Sequence, residues 1–240
     1  MSFNQDWEAQ AENWIGWARS GKDAYWLYRD SFFELVPVPG AATLEVGCGE
    51  GRVTRDLATR GHRVIAIDAS PTLIRAAREA DATGSYSVAD AAALPFNDDS
   101  FDLVVAYNSL MDVQDMPAAV GEIGRVLAPN GCLCACVTHP LADAGDFRER
   151  RGDAPFIIEG SYLERRAVDQ VDDLDGHRMR FVGWSYPLED YSLALEHAGL
   201  VTEAIREPPV LAEEVERDPS EQRWRRLPCF LMFRAIPSPR

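Results

Sequence analysis

Long apolar runs, a basic excess and a paired-cysteine framework are what this sequence of 240 residues lacks. No uninterrupted apolar stretch approaches the roughly 20 residues that cross a bilayer, and no signal-peptide pattern opens the chain. The expectation is a cytoplasmic protein, neither secreted nor inserted in a membrane. Positive charge is short as well: 24 Lys and Arg stand against 39 Asp and Glu, a formal charge of −15. Affinity for nucleic acid comes mostly from Lys and Arg on phosphates, so no nucleic-acid partner is expected, and solubility accounts for the acidity. Of five cysteines, Cys132, Cys134 and Cys136 alternate along an expected strand. Their side chains then share one face, which suits packing within a sheet better than disulfides or a metal site. The acidic turn with Asp172, Asp173 and Asp175 has part of a calcium loop but not the remaining ligand pattern, so no metal is expected.

What the chain does contain is a glycine-rich unit between Thr43 and Ser70. The short apolar run Thr43-Leu44-Glu45-Val46 stops at Gly47-Cys48-Gly49-Glu50-Gly51, as a buried parallel strand does before a turn. From Arg52 the apolar residues Val53, Leu57 and Ala58 recur at helical spacing, and Gly61 ends the helix. A second strand, Arg63 to Asp68, closes on a carboxylate. The unit reads as βαβ, with glycines at the first turn and an acid at the tip of the second strand. The glycines admit a ligand close to the backbone, and the free N–H groups of the helix point at it. Asp68, about twenty residues on, stands where a carboxylate accepts from two ribose hydroxyls, so a nucleoside-containing ligand is expected. A dinucleotide fingerprint places its third glycine at position 52. Arg52 occupies that position, which weakens the dinucleotide reading.

At Glu45-Val46-Gly47-Cys48-Gly49-Glu50-Gly51 and Asp68-Ala69-Ser70 the chain resembles class I S-adenosylmethionine-dependent methyltransferases. Val88-Ala89-Asp90-Ala91, Leu94-Pro95-Phe96 before Ser100-Phe101-Asp102, and Leu127 to Gly131 follow in the family's order. The resemblance covers Ala41 to Val137 well. It implies an α/β fold: a doubly wound, seven-stranded, mostly parallel sheet with the last strand antiparallel and helices on both faces. It also implies S-adenosylmethionine as cofactor. Glu45 would hold the methionine end, Asp68 and Ala69 the ribose, and Asp90 with Ala91 the adenine. Gly47, Cys48, Gly49 and Gly51 would admit the ligand, and Asn108 with Ser109 would meet the methionine amino group.

Around that core the chain is expected to form one domain. Residues 1–40 are a helical lid, 41–139 the cofactor-binding core, 140–186 an inserted β-hairpin cap, and 187–240 the rest of the core. Helices are expected from Asp6 to Ser20 and from Asp23 to Leu35. Their aromatic residues suit a core, while as a lid Trp14, Arg19 and Tyr28 border the ligand, with Arg19 facing the cofactor's carboxylate. Ser70 caps a helix starting at Pro71, Ser85 to Ala89 is the third strand, and Phe101 to Ala106 the fourth. At its exit, the side chains of Asn108 and Asp112 either face a substrate or fix the turn. A helix from Ala118 to Leu127 stops at Pro129-Asn130-Gly131, and the fifth strand ends at Thr138. His139 follows; its imidazole either takes a proton from the acceptor or only hydrogen-bonds. His62, His177 and His197 are expected to be solvated. In the cap, strands at Ser161 to Val171 and His177 to Ser185 form the hairpin. Phe147, Phe156, Tyr162, Trp184 and Tyr186 either line an acceptor pocket or pack the hairpin down. A helix from Leu188 to His197 and strands at Leu200 to Ile205 and Leu227 to Ala235 close the chain. The expected activity is methyl transfer to an O, N, S or C atom of a small molecule. The alternatives are a noncatalytic S-adenosylmethionine-binding protein and, less favoured by the glycine spacing, a nicotinamide-dependent oxidoreductase.

Overall fold

The apolar runs pair into one sheet in the computed structural model, which describes residues 3–21, 23–174 and 176–238. The chain begins with α1 (Phe3–Arg19) and α2 (Tyr25–Phe33). It continues through β1 (Thr43–Val46), α3 (Arg52–Thr59), β2 (Val64–Asp68), α4 (Pro71–Ala80), β3 (Ser85–Val88) and β4 (Phe101–Tyr107). Next come α5 (Met116–Val126), β5 (Leu127–Thr138), β6 (Gly145–Phe147), β7 (Phe156–Ile158), β8 (Arg166–Leu174) and β9 (His177–Ser185). It ends with α6 (Leu188–His197), β10 (Leu200–Arg206), α7 (Ala212–Arg217) and β11 (Phe230–Pro237). The main sheet runs β3-β2-β1-β4-β5-β11-β10. Neighbours are parallel from β3 to β5, and β11 lies antiparallel to both β5 and β10.

Strand alternation sorts the side chains between two cores. Leu44, Val104, Ala106, Leu133 and Ala135 pack on one face with Met116, Val120 and Ile123 of α5 and Tyr191 of α6. Leu103, Val105, Cys132, Cys134 and Cys136 pack on the other with Tyr25, Tyr28 and Phe32 of α2 and Leu57 of α3. The three alternating cysteines are thus core residues on one face. Helix starts follow local chemistry. Ser70 Oγ accepts the Leu73 amide at 3.1 Å ahead of Pro71. Asp115 Oδ1 likewise accepts the Ala118 amide at 3.1 Å, so α5 begins at Met116, earlier than its apolar spacing suggests.

Several expectations change. Residues 129–131 do not break the chain. They lie in an irregular stretch of β5, where Leu127 pairs with Phe101 and Cys132 with Leu103. His62 is buried, with Nδ1 3.1 Å from Thr43 Oγ1, and is not solvated. The cap hairpin is β8 with β9, starting at Arg166 rather than Ser161. Asp172 and Asp173 belong to β8, and Asp175 lies outside the described residues. The cap also holds the small β6–β7 pair, and α7 follows the break at Pro208-Pro209. Helix α1 ties the cap to the core: Trp7 Nε1 donates to Val182 O at 3.2 Å, and the Glu8 carboxylate receives the Ser70 and Thr72 hydroxyls.

Candidate active site

A cleft of about 1000 Å³ opens at the carboxyl ends of β1, β2, β4 and β5, walled by α1 and the cap hairpin. Its floor is the turn after β1. The amides of Gly47 and Cys48 donate to Ile67 O at 2.8 and 2.9 Å, binding the turn to β2. Gly47 has φ +73°, and a side chain there would overlap Cβ of Ser109. Only glycine meets both demands. Glu45, Cys48 and Gly49 also line the cleft, whereas Gly51 does not. A Cβ on Gly51 would press on Tyr86 and Ala77, so that glycine serves the packing of α3 rather than a ligand.

Two carboxylates stand at the strand ends. Asp68 Oδ2 accepts the Gly49 amide at 2.8 Å and Oδ1 the Ser70 amide at 2.9 Å. Burial raises its pKa against the lowering effect of those two amides, and Glu8 adds to the rise. Glu45 is fully buried and accepts the Thr54 hydroxyl. Its pKa is pushed up to about 8 by burial, opposed by that hydrogen bond and reinforced by Glu50 and Asp68. A group that is costly to ionise in isolation is a receiver for an incoming positive charge. Asp90, Ala69 and Ala91 lie on the wall beyond β2 and β3, and Asp90 Oδ1 accepts the Ala92 amide at 2.9 Å.

The exit of β4 forms the opposite wall. Asn108 has φ +48°, its amide donates to Cys136 O at 2.8 Å, and its buried Oδ1 has no hydrogen-bond partner. Ser109 Oγ donates to Val46 O at 2.7 Å, locking this exit to β1. Asp112 follows, facing the cleft.

The lid and cap residues divide. Trp14, Tyr28 and Trp184 line the cleft. Arg19 does not; its Nη2 approaches Ala76 O at 3.5 Å. In its place stands Arg52, ion-paired with Asp23 and lying 4.6 Å from the Tyr25 ring centroid and 5.1 Å from that of Trp14. The signal was present in the sequence as the arginine that displaces the third glycine. Phe147 is turned away into a cluster with Phe156 and Trp224, and Tyr162 spends its hydroxyl on the Leu188 amide at 3.2 Å. His139 is also outside the cleft lining. Its Nδ1 accepts the Leu141 amide at 3.1 Å and its Nε2 lies 2.8 Å from Glu207 Oε1. An Nδ1 that accepts leaves the proton on Nε2, donated to Glu207, so the ring has no free nitrogen for a base. Asp143, which the sequence reading did not single out, lies in the cleft instead.

Residues 44–135 match a family model described as a methyltransferase domain. The malonyl-[acyl-carrier protein] O-methyltransferase of Serratia marcescens is 34% identical over 122 residues, 51% of this chain and 46% of that protein. The 2-methyl-6-phytyl-1,4-hydroquinone methyltransferase of Synechocystis is 32% identical over 171 residues, 68% of this chain and 47% of that one. The chain thus spans about half the length of these curated relatives. An S-adenosylmethionine-dependent methyltransferase structure from Mesorhizobium loti superposes with a TM-score of 0.70 at 24% identity, covering 89% of this chain and 98% of that one. Its fold is the one described above. Residues 44–135 are thus similar to methyltransferase domains, and the sheet built on them has the fold of the Mesorhizobium loti structure.

Proposed function

We propose that this protein is an S-adenosylmethionine-dependent methyltransferase acting on a small-molecule acceptor. The observation that carries the reading is the convergence of Glu45, Asp68 and the unpartnered Oδ1 of Asn108 on one cleft. The residues suit the cofactor group by group. The Asp68 carboxylate accepts ribose hydroxyls with the lone pairs that Gly49 and Ser70 leave over. Glu45 and Asn108 Oδ1 receive the methionine ammonium, which supplies the charge and the donor that each lacks. Arg52 meets the methionine carboxylate, and Asp90 with Ala91 borders the adenine. Bound S-adenosylmethionine supplies an electrophilic methyl group on a sulfonium centre. The chain's task is then alignment: Tyr28, Trp14 and Trp184 exclude water and orient the acceptor, and positioning alone can lower a barrier by several kcal/mol, about 7–11 in well-oriented cases.

Named relatives that methylate a protein-bound malonyl group and a hydroquinone support methyl transfer to small acceptors. The strongly acidic surface supports the absence of a nucleic-acid substrate. The reading places the reaction in the cytoplasm, in keeping with reduced buried thiols such as Cys134 and Cys136. Calorimetric titration with S-adenosylmethionine, S-adenosylhomocysteine and NAD tests it. Binding of the first two without NAD supports the assignment, and NAD binding alone, or no binding of any, sinks it.

A further inference from the structure

The charge that lines the cleft is nearly all of one sign. Twelve acidic residues line it and two arginines, Arg52 and Arg166, although Asp23, Glu50, Asp169 and Glu221 are ion-paired with Arg52, Arg55, Arg180 and Arg223. Both arginines are engaged, Arg52 with Asp23 and Arg166 through Nη2 with the Asp143 carbonyl oxygen. An anionic acceptor would enter against an excess of acidic groups, and a cationic one would be drawn in.

Two of these acids lie just past strand ends at the cleft, Asp112 past β4 and Asp143 past β5. Asp112 keeps a little exposure to the cleft but is otherwise surrounded by protein, and among the described residues no donor reaches either of its carboxyl oxygens. Strand β9 passes directly over it: a Cβ on Gly183 would lie 2.8 Å from Asp112 Oδ1 and 2.8 Å from Met111 O. Asp143 accepts the Thr138 hydroxyl at 2.7 Å on Oδ2, and no described donor reaches Oδ1. The charged and titratable neighbours give Asp112 no compensation and Asp143 only a part of it. Burial, then Asp143 and Asp68, push the Asp112 pKa well above the ordinary carboxylate value. Burial raises Asp143 to about 6, against the Thr138 hydroxyl and the Arg166 charge. Tyr191 from α6 is near both and carries no positive charge. Trp184, next to Gly183 on β9, faces the same space with its Nε1 buried and unpartnered.

Unpaired buried acids are costly to a fold unless something else supplies their partner. We propose that the acceptor is an amine carried on an apolar or aromatic body, recognised as its ammonium by the Asp112 carboxylate with Asp143 beside it; for transfer to the nitrogen, one ammonium proton passes to one of these carboxylates, the freed lone pair takes the methyl group and the thioether S-adenosylhomocysteine leaves. The ammonium N–H groups reach Asp112 and Asp143 Oδ1, and the Trp184 indole flanks the apolar body. The proposal rests on the methyl-transfer reading for the placing of the acceptor, while the amine preference is a property of the cleft itself.

The test is calorimetric titration with three compounds that share one body and differ only in their end group: tryptamine, tryptophol and indole-3-propionate. Phenethylamine, phenethyl alcohol and hydrocinnamate form a smaller matched set. Each is titrated with and without S-adenosylhomocysteine. If the latter fails to bind, the cofactor reading falls, and the amine preference is still judged on the free protein. The expected result is that at least one amine binds about tenfold or more tightly than its alcohol and carboxylate partners, the effect of a charge-assisted contact. Asp112→Asn abolishes the preference, while Asp30→Asn, an equal change in net charge outside the cleft, leaves it intact. Thermal melting of each variant checks that it is folded. Equal or tighter binding of the alcohol or carboxylate, no binding of either amine, or an unchanged preference in folded Asp112→Asn would overturn the proposal.

Discussion

Oδ2 of Asp68 accepts the amide of Gly49 at 2.8 Å, so the tip of β2 and the glycine turn after β1 form one hydrogen-bonded unit. The carboxylate therefore has two tasks, holding the turn and presenting its remaining lone pairs to the cleft.

Replacing Asp68 by Ala removes both. We expect S-adenosylmethionine binding to weaken about ten- to a hundredfold, the value of one or two hydrogen bonds to a charged group. Calorimetry measures it, and an unchanged dissociation constant removes Asp68 from the site.

Arg52, not Arg19, faces the cleft, which separates two variants that the sequence treats alike. Arg52→Met should cost about tenfold in affinity for S-adenosylmethionine, the loss of a charge-assisted contact, while Arg19→Met should not change it. Methylthioadenosine, which has no methionine carboxylate, should bind both variants as it binds the parent. A loss for methylthioadenosine as large as that for S-adenosylmethionine would mean that Arg52→Met damages the cleft generally.

Glu45 gives a pH signature. Its folded pKa of about 8 lies above the usual carboxylate value of 4.5, so ionisation is easier in the unfolded chain. Stability tied to this group is therefore full below the unfolded pKa and is lost as pH rises towards the folded one. Glu45→Gln keeps an acceptor for the Thr54 hydroxyl and cannot ionise. The melting temperature of the variant relative to the parent should rise between about pH 5 and 8 and level off above. A flat difference across that window would place the Glu45 pKa in the ordinary range.

Gly183 lets the cap cross Asp112 and Met111. Gly183→Ala forces a Cβ into a space 2.8 Å from both, so we expect about 1–3 kcal/mol of destabilisation in urea unfolding. An unperturbed midpoint would mean that β9 shifts at no cost.

Glu8 holds α1 to the start of α4 through the Ser70 and Thr72 hydroxyls and the Thr72 amide, the last at 3.2 Å. Burial acts to raise its pKa, but these bonds and Arg75 outweigh it and hold the value low. Its contribution is therefore present above the ordinary carboxylate pKa and fades as the group is protonated. Glu8→Ala should speed amide exchange in α1 while the exchange of β4 and β5 stays slow; equal exchange in α1 would show that Trp7 and its neighbours hold the helix without Glu8.

The unit from Thr43 to Ser70 was legible because its information is local. An apolar run, glycines whose positive φ excludes most side chains, a Ser-Pro helix start and an acid at a strand end each act within a few residues. His139 and Phe147 were not legible in that way. Each follows a strand or lies within the cap, and the side to which it turns depends on partners far along the chain, Glu207 for one and Trp224 for the other. Gly51 was read as ligand-admitting because it shares the motif, yet it packs against Tyr86 and Ala77 on later elements.

By itself the sequence determined the βαβ unit, the parallel sheet that grows from it, the burial of Cys132, Cys134 and Cys136 on one face, and the place of Glu45, Asp68 and Asp90 at the cleft edge of the sheet. Period and turn chemistry are properties of neighbouring residues, and they specify elements and the end at which those elements open. Only the tertiary structure decided which side chains share the cleft. Arg52 rather than Arg19, and Asp112 with Asp143 rather than His139, came together because α1 and β9 close over the strand ends. Which side chains then meet depends on long-range packing, and no local pattern encodes it.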